Sequence, residues 1–429
     1  MWQTLIKIFK LEDLRNRIIF TILILFGIRF LAHIPIPGAD LPALQEFFNR
    51  NKIFGLLNMF SGGTMESFSI VMMGVAPYIN ASIIMQLLTM IVPSIEALSK
   101  EGERGRQKLN QWTRWLTVPL AALQAYGMVL LLNRGQQKIL ADIVPFELLV
   151  IIVVITGGTI FLMWLGELIS ERGIGNGISL IIALGIIADL PSRIGATYAA
   201  AVAQPSLEKI VAIIFVVLVF LIVIAGIVFI NEGQRNIPIS YAKRVRGMRM
   251  YGGVDTFLPL RVAQAGVIPI IFALSLMLFP GVIANFFTNA RTLWLADFAK
   301  FLTKALTPTS FVYMVFYFLL VLGFTYFYTA IILNPKNISE NIQKQGGFIP
   351  GIRPGRQTAI YLSGIINKIT LVGALFLGVI AVLPLIIDRQ FPYINLVVGG
   401  TGLLIVVSVV LETARQIEAQ LLMRAYEKY

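Results

Sequence analysis

Two runs without a charged residue, 67–95 and 262–290, constrain the fold of this chain more than any other feature. Each exceeds the roughly 20 apolar residues that a helix needs to cross the hydrocarbon core of a bilayer. Only 13% of all residues are charged, whereas soluble domains carry about a quarter. We therefore expect lipid to surround most of this chain.

Ten segments are apolar enough to form spanning helices. They are 18–33, 70–92, 115–133, 148–168, 174–190, 210–230, 265–286, 311–333, 369–387 and 394–411. The excess length of the second and seventh runs predicts a tilt, a kink or a part that does not span. The residues before the first span are amphipathic and are expected to form an interfacial helix rather than a cleaved signal peptide.

The basic residues predict the orientation of these spans, because Lys and Arg accumulate in cytoplasmic loops. With a cytoplasmic N-terminus, most of the 35 Lys and Arg residues fall on that side, densest in 100–114, 235–261 and 336–356. Ten spans then return the C-terminus to the cytoplasm. An external linker at 189–208 divides the chain into halves 1–188 and 209–429, and five spans in each half give the halves opposite orientations, as in inverted repeats.

The sequence contains no pattern that points to catalysis. It has no Cys and a single His, and it lacks a phosphate-binding loop, an H-E-x-x-H motif and a G-x-S-x-G motif. We therefore predict no cofactor, no metal and no enzymatic activity. The spans carry almost no ionisable residue at mid-depth, where an ion-coupled carrier needs one. His33 and Glu167 lie near span ends, where structural or pairing roles are expected. A small-solute transporter and a structural scaffold remain alternatives.

Two long basic loops, 231–262 and 334–362, are the main polar regions. Apolar residues alternate after Arg235, and Gly252-Gly253 follows them, so the first loop is expected to form a projecting hairpin. Closely spaced Gly and Pro residues predict a shaped, turn-rich second loop. Such loops can serve only to set topology, but their length favours docking of a large cytosolic partner. The candidate docking residues are Arg244, Arg246, Arg249, Arg353 and Arg356.

Two segments, 69–88 with Ala76-Pro-Tyr-Ile-Asn-Ala-Ser82 and 164–182 with Glu171-Arg-Gly-Ile-Gly-Asn-Gly177, resemble the SecY family. That family provides the central subunit of the bacterial protein-conducting channel. Weaker matches follow in family order at 33–38, 58–63, 265–272 and 352–355. Asn80 stands where the family commonly has Ser, which is a conservative departure.

The resemblance implies an all-α membrane protein whose ten transmembrane helices form two inverted five-helix halves, a clamshell around a central pore. Its constriction ring would map onto Ile79, Ile83, Ile178, Ile182, Ile271 and Ile405. A plug near 54–64 would include Asn58, Met59, Phe60, Ser61, Gly62 and Gly63. A lateral gate between spans two and seven would include Gln86 and Pro269. Two ring pairs are spaced four residues apart and so share a helix face, although Ile on spanning helices ordinarily faces lipid or packs. Pro269 is expected to kink its helix, as a hinge or as a static bend.

The resemblance also implies the partners and the location of the chain. SecE and SecG would be membrane subunits, and the SecA motor ATPase or a ribosome would dock on the basic loops. Signal peptides and nascent polypeptides would be the substrates, with membrane lipid reached through the gate. The location would be the bacterial plasma membrane.

Overall fold

The computed structural model describes residues 11–50, 58, 61–134, 144–203, 206–241, 244–246, 249–251, 256–287, 292–308, 310–390 and 400–427. Its helices are α1 Glu12–Leu31, α2 Leu41–Arg50, α3 Ala76–Ile91, α4 Pro93–Lys100, α5 Glu103–Arg134, α6 Pro145–Arg172, α7 Gly177–Ala203, α8 Leu207–Glu232, α9 Ile268–Phe287, α10 Leu293–Ala305, α11 Phe311–Ile332, α12 Pro335–Lys344, α13 Arg356–Gln390 and α14 Gly400–Glu427. The strands are β1 Gln234–Tyr241, β2 Arg244–Arg246, β3 Arg249–Tyr251, β4 Thr256–Arg261 and β5 Gly347–Phe348. The predicted interfacial helix before residue 11 lies outside the described residues.

Each of the ten predicted apolar segments overlaps one of these helices, so the ten-span helical architecture is confirmed. Within the described residues, six helices are long and apolar enough to cross a membrane alone, and the pair α3 and α4, bent by 101°, adds a seventh. The helices α1, α9 and α14 carry the three remaining segments. Several helices extend beyond their apolar cores. For example, α5 begins at Glu103 rather than near 115, because a helix continues once it has left the hydrocarbon.

The second and seventh runs exceed their helices because each begins in turns, at 70–75 and 262–267. With 16 residues, α3 is about 24 Å long at about 1.5 Å per residue, shorter than a hydrocarbon core of about 30 Å. A part of the second run therefore does not span as helix, which was one of the expected outcomes.

The expected kink at Pro269 is wrong, because this residue is the second of α9. Pro77 likewise occupies the first turn of α3, where the missing N–H has no helical partner to lose. The interior proline of α9 is Pro280.

The starts of α3 and α9 match in sequence and in backbone conformation. The segments Gly74-Val-Ala-Pro77 and Gly266-Val-Ile-Pro269 each begin with a glycine, with φ of +55° and +58°. Corresponding helices of the two halves thus begin with the same local motif.

The predicted external linker at 189–208 is largely helical. The helix α7 continues to Ala203, and α8 begins at Leu207. The segment 196–203 is rich in Ala, the residue with the highest helix propensity, which explains why the helix passes the expected boundary. The fifth span is therefore longer than the apolar run alone indicated, while the division into halves stays a prediction.

The two basic loops fold together into one substructure. The strands β1 and β4 pair antiparallel, with Ile237 opposite Leu258, so the projecting hairpin is confirmed. The strand β5 from the second loop pairs with the end of β1. One buried cluster joins the sheet to α13 through Ile237, Leu260, Ile349, Leu362, Ile365 and Ile366. Both basic loops therefore contribute strands to the same sheet.

Candidate functional site

The largest cluster of buried apolar side chains in the described residues lies where the two predicted halves meet. We call it the central cluster. It draws residues from α1, α6 and α7 of the first half and from α8, α9, α11, α13 and α14 of the second. An interior shared by both halves is the place where inverted repeats are expected to carry function.

Five of the six candidate ring isoleucines belong to the central cluster or pack against it. Ile182 and Ile405 are members with exposed fractions of 3% and 0%, and Ile79, Ile178 and Ile271 are half-buried against it. Ile83 is half-buried on α3 but is not part of this cluster as the structure describes it. Five of the candidate ring residues therefore lie in or against one apolar interior that both halves share.

The described residues of the candidate plug, Asn58 and Ser61 to Gly63, form a compact turn around Asn58. The Asn58 Oδ1 accepts the backbone N–H groups of Met65 and Glu66, each at 3.2 Å. Its carbonyl oxygen accepts the Ser61 hydroxyl at 2.9 Å and the Gly63 N–H at 2.9 Å. Asn58 is 1% exposed. The plug residues Met59 and Phe60 lie outside the described residues.

This turn is seated directly against α7 by glycine. A Cβ built on Gly185 would lie 2.6 Å from the Gly62 Cα, and one built on Gly63 would lie 2.6 Å from an Asp189 carboxylate oxygen. The two backbones therefore touch without a side chain between them. Gly62 has a φ of +79°, in the left-handed region that glycine tolerates. Only glycine meets both requirements at position 62.

A charged side chain from α1 adds to this contact. We call the Gly62–Gly185 contact and the bond from Arg29 together the plug seat. The Arg29 Nη1 donates a hydrogen bond of 2.9 Å to the Gly62 carbonyl oxygen. A cavity of about 30 Å³ remains between the turn and α1, α6 and α7, which is room for little more than one water molecule. The turn is therefore held by close contact and by a directional bond at the same residue.

The residues Arg29 and Gly185 were missed by the sequence reasoning, although each carried a signal. Arg29 is a charge inside the first predicted span, and such residues commonly pair with backbone carbonyls. Gly185 is a glycine within the fifth span, and small residues allow close backbone approach in membranes. Gly185 follows Ile182 by three residues, so α7 presents a candidate ring side chain and the plug contact on neighbouring turns.

The helices α3 and α9 meet along a limited contact, whereas α3 packs extensively against α5. On α3, Gln86 donates from Nε2 to the Ser82 hydroxyl at 3.3 Å. Its Oε1 is buried without a hydrogen-bond partner in the described part of the chain. Pro269 is buried at the start of α9. The candidate gate residues therefore lie on two helices whose contact with each other is small in the described part of the chain.

The second basic loop presents its arginines on a braced turn. Ser339 donates to the Gly355 carbonyl at 2.7 Å, and Thr358 donates to the Arg353 carbonyl at 2.9 Å. Both hydroxyls stabilise the backbone while Arg353 and Arg356 remain exposed. The other docking candidates lie on the hairpin extension, Arg244 and Arg246 on β2 and Arg249 on β3.

Polar contacts at the helix ends bind the bundle together on the same side. Glu167 pairs with Arg114 at 2.8 Å, which confirms the expected pairing role, and Arg415 pairs with Glu232 at 2.6 Å in the second half. The glycine-rich segment after α6 joins the halves, because the Gly175 N–H donates to the Gln416 Oε1 at 2.9 Å. At the opposite end of α1, His33 makes a local contact instead, with its Nδ1 2.9 Å from the Arg29 carbonyl oxygen.

Groups of acidic or histidine residues able to hold a metal ion do not occur among the described residues. The site instead consists of a multi-pass helical bundle with a buried apolar cluster shared by both halves and a glycine-rich turn packed beside it. This arrangement is that of a multi-pass α-helical membrane protein. The family model described as SecY matches residues 69–414, and the chain belongs to the SecY family.

Individual relatives agree with this assignment over the full length. The chain is 44% identical to the protein translocase subunit SecY of Halalkalibacterium halodurans, covering 100% of both chains. It is 43% identical to that of Streptomyces coelicolor, covering 99% of this chain and 98% of the relative. This family membership decides against the solute transporter and the structural scaffold.

Solved structures share the fold at lower identity. A protein conducting channel matches with a TM-score of 0.64 at 19% identity, covering 94% of this chain and 91% of that one. A second structure, which concerns the plug domain of a SecY protein, matches with a TM-score of 0.63 at 20% identity and the same coverage. Canine Sec61 in a ribosome–channel complex matches at 0.62 and 18%, again with that coverage. These likenesses establish the fold.

Proposed function

We propose that this chain forms the channel through which unfolded secretory polypeptides cross the bacterial plasma membrane, with both termini in the cytoplasm. The chain is a protein-translocating channel and not an enzyme, because its family consists of protein translocase subunits. The observation that carries the finer proposal is the central cluster, in which both halves contribute candidate ring isoleucines beside the Gly62–Gly185 contact. The chain provides the path, and a partner drives the movement.

The ring consists of Ile79, Ile83, Ile178, Ile182, Ile271 and Ile405 in this proposal. Hydrophobic constrictions block ions by dewetting, so a closed ring preserves the membrane potential when no polypeptide is present. Apolar side chains also offer no sequence-specific hydrogen bonds, which allows polypeptides of any sequence to pass. A charged lining would instead retain segments of opposite charge.

The plug is the segment around Asn58 to Gly63. In the structurally similar SecY protein, the plug domain stabilises the closed state of the translocation channel and maintains a membrane seal. The seat against α7 and the bond from Arg29 support the same role here. A translocating polypeptide must separate Gly62 from Gly185, and the seat reforms once the polypeptide has left.

The lateral gate is the seam between α3 and α9, with Gln86 and Pro269 on its two sides. An apolar segment inside the pore is stabilised by moving into lipid, whereas a polar segment is strongly disfavoured there. A seam that opens therefore sorts segments by partitioning. The limited contact between α3 and α9 supports this location.

The basic substructure is the docking face for the driving partner. SecA or a translating ribosome binds there in this proposal, and SecE and SecG complete the assembly in the membrane. Ribosome-bound channels from canine endoplasmic reticulum and from yeast share the fold. The exposed arginines on the braced turn of the second loop support an anionic docking partner.

Crosslinking to a stalled secretory polypeptide tests the path. A photoreactive residue at Ile182 or Ile405 should crosslink to the stalled polypeptide, because both positions lie inside the central cluster. The matched control is Leu221 on α8, which is 63% exposed on the outside of the bundle. Equal crosslinking from Leu221, or none from the ring, would contradict the proposed path.

Charge reversal tests the docking face. Arg353→Glu should impair SecA-driven export in reconstituted vesicles while the channel remains assembled. Arg389→Glu makes the same change at an exposed arginine at the opposite end of α13 and should export normally. If both variants export equally, the loop does not dock the motor.

A further inference from the structure

The helix α10 carries an aromatic face that points away from the protein. Trp294, Phe298 and Phe301 are 76%, 53% and 70% exposed. Residues spaced by three and four share one face of a helix, so these rings form a single stripe. Trp294 and Phe298 stack with their centroids 6.2 Å apart. The opposite side of the helix holds Ala296 and Ala299, both buried, where α10 packs on α9.

The connections of α10 fix its depth in the membrane. It begins soon after α9 ends at Phe287 and is followed by α11 from Phe311. Both neighbours are spanning segments, so α10 lies at one end of the bundle, opposite the basic loops. Leu306, the residue after α10, packs against the central cluster. The helix is therefore held at the boundary between hydrocarbon and water rather than projecting into solution.

The chemistry of the exposed face matches that boundary. Trp side chains concentrate at headgroup level in membrane proteins. Amphipathic helices with aromatic residues on one face and Lys on the other lie in the interface plane. On α10, Lys300 and Lys304 are exposed and four residues apart, beside the aromatic stripe. Long Lys side chains at this position reach the phosphates while their stems stay in the apolar layer.

We propose that α10 is a membrane-interface anchor whose aromatic face inserts among phospholipids of the leaflet opposite the basic loops. The occupant of this face is lipid, because the spans on either side of α10 in the chain also expose apolar side chains at the ends nearest to it, Phe287 of α9 and Phe311 of α11. Since α10 packs on α9, the anchor holds one side of the α3–α9 seam at a fixed depth. The insertion itself depends on the spans alone and does not require that the chain translocates protein.

Spin labelling tests the proposal on the full-length chain. The native sequence has no Cys, so single cysteines can be placed directly, as Phe298→Cys and Phe301→Cys on the aromatic face. The matched control is Lys300→Cys on the charged side. Each variant is labelled and reconstituted in vesicles of phosphatidylethanolamine and phosphatidylglycerol. Collisions with oxygen, which enriches in lipid, and with a water-soluble nickel chelate are then measured.

Lipid insertion predicts that oxygen collisions exceed nickel collisions severalfold at residues 298 and 301, with the reverse at residue 300. If the nickel chelate reaches all three labels equally, the face is in water and the proposal fails. If both reagents are excluded at 298 and 301, another protein covers the face and lipid does not.

A second measurement leaves the aromatic face intact. Four of the five tryptophans are replaced by Phe, so that Trp294 alone fluoresces. They are Trp2, Trp112, Trp115 and Trp164. Lipids brominated near the headgroup should quench Trp294 more strongly than lipids brominated near the chain ends. Quenching by aqueous iodide instead of by brominated lipid would overturn the proposal even if a cysteine variant had failed to fold.

Discussion

The central cluster and the plug seat close the same interior by different physical means. The cluster is held by apolar packing, which is non-directional and depends on buried area and shape. The plug seat depends on contacts between particular atoms: Arg29 donates a hydrogen bond to the Gly62 carbonyl oxygen, and the backbones of Gly62 and Gly185 are in contact. The central cluster therefore requires only apolar residues of suitable size, whereas the plug seat requires Arg29, Gly62 and Gly185 individually.

This difference predicts unequal tolerance to substitution. Apolar exchanges that conserve volume are tolerated in packed interiors, so the cluster should keep its seal through many of them. A backbone contact between glycines accepts no added atom without displacement. Resting ion conductance in planar bilayers measures the leak past the central cluster and past the plug. Substitutions in the plug seat should raise this conductance more than substitutions in the central cluster.

The largest effect is expected from Gly185→Ala. The added Cβ would lie 2.6 Å from the Gly62 Cα, so the plug turn must leave its seat. Overpacking of this kind costs about 3 kcal/mol, and about 1.4 kcal/mol corresponds to tenfold. The fraction of channels with a displaced plug should therefore rise by roughly two orders of magnitude, and resting conductance should rise with it as far as the intact ring allows.

Gly195→Ala is the control for this prediction. It makes the same change on the same helix, at a position where a Cβ would meet no atom within 4 Å, and should conduct like the native chain. A Gly185→Ala channel as tight as this control would show that the seat does not hold the closed state.

A smaller effect is expected from Arg29→Met, which keeps an unbranched apolar stem and removes the donor. Hydrogen bonds from charged groups contribute about 1.5–3 kcal/mol net, so the displaced plug should become at least about tenfold more populated. Arg29→Lys retains a donor and should conduct less than Arg29→Met. Identical conductance of the two variants would exclude the hydrogen bond as the cause.

Polar substitution in the ring should have a moderate effect, because the seated plug still blocks the path. Ile182→Asn should raise resting conductance severalfold, since residue 182 lies in the central cluster at 3% exposure. Ile83→Asn should raise it less, because Ile83 is only half-buried and not part of that cluster. An equal or larger rise for Ile83→Asn would mean that the narrowest point of the ring lies at Ile83 on α3 and not at Ile182.

The smallest effect is expected from Ile182→Val. Removal of one methylene from a packed interior costs about 1 kcal/mol of unfolding free energy, but the position stays apolar. The thermal midpoint of the variant should fall slightly while resting conductance stays at the native level. A leak in this variant would mean that the cluster seals by close shape complementarity, like the seat.

The architecture could be predicted from sequence because hydrophobic length and charge distribution determine it directly. The ten spans and the β1–β4 hairpin follow from such local patterns. The kink expected at Pro269 was wrong because proline has opposite meanings in the first turn and in the interior of a helix. Only the position of the helix start distinguishes the two cases.

The plug seat could be predicted only in part. The resemblance indicated residues 58–63, but nothing local connects them with Arg29 or Gly185, which are far away in the chain. The participation of β5 in the hairpin sheet was missed for the same reason, since two-residue pairing leaves no periodic signal. Long-range contacts of this kind depend on the packing of whole helices.

The sheet of β1, β4 and β5 also has a mechanical consequence. Glu232 ends α8 and Gln234 begins β1, while β4 ends at Arg261, shortly before α9 begins at Ile268. The buried cluster beneath the sheet adds α13 to the same unit. The sheet thus connects the ends of α8, α9 and α13 on one side of the bundle, so a partner that binds either basic loop would contact a unit joined directly to one side of the α3–α9 seam.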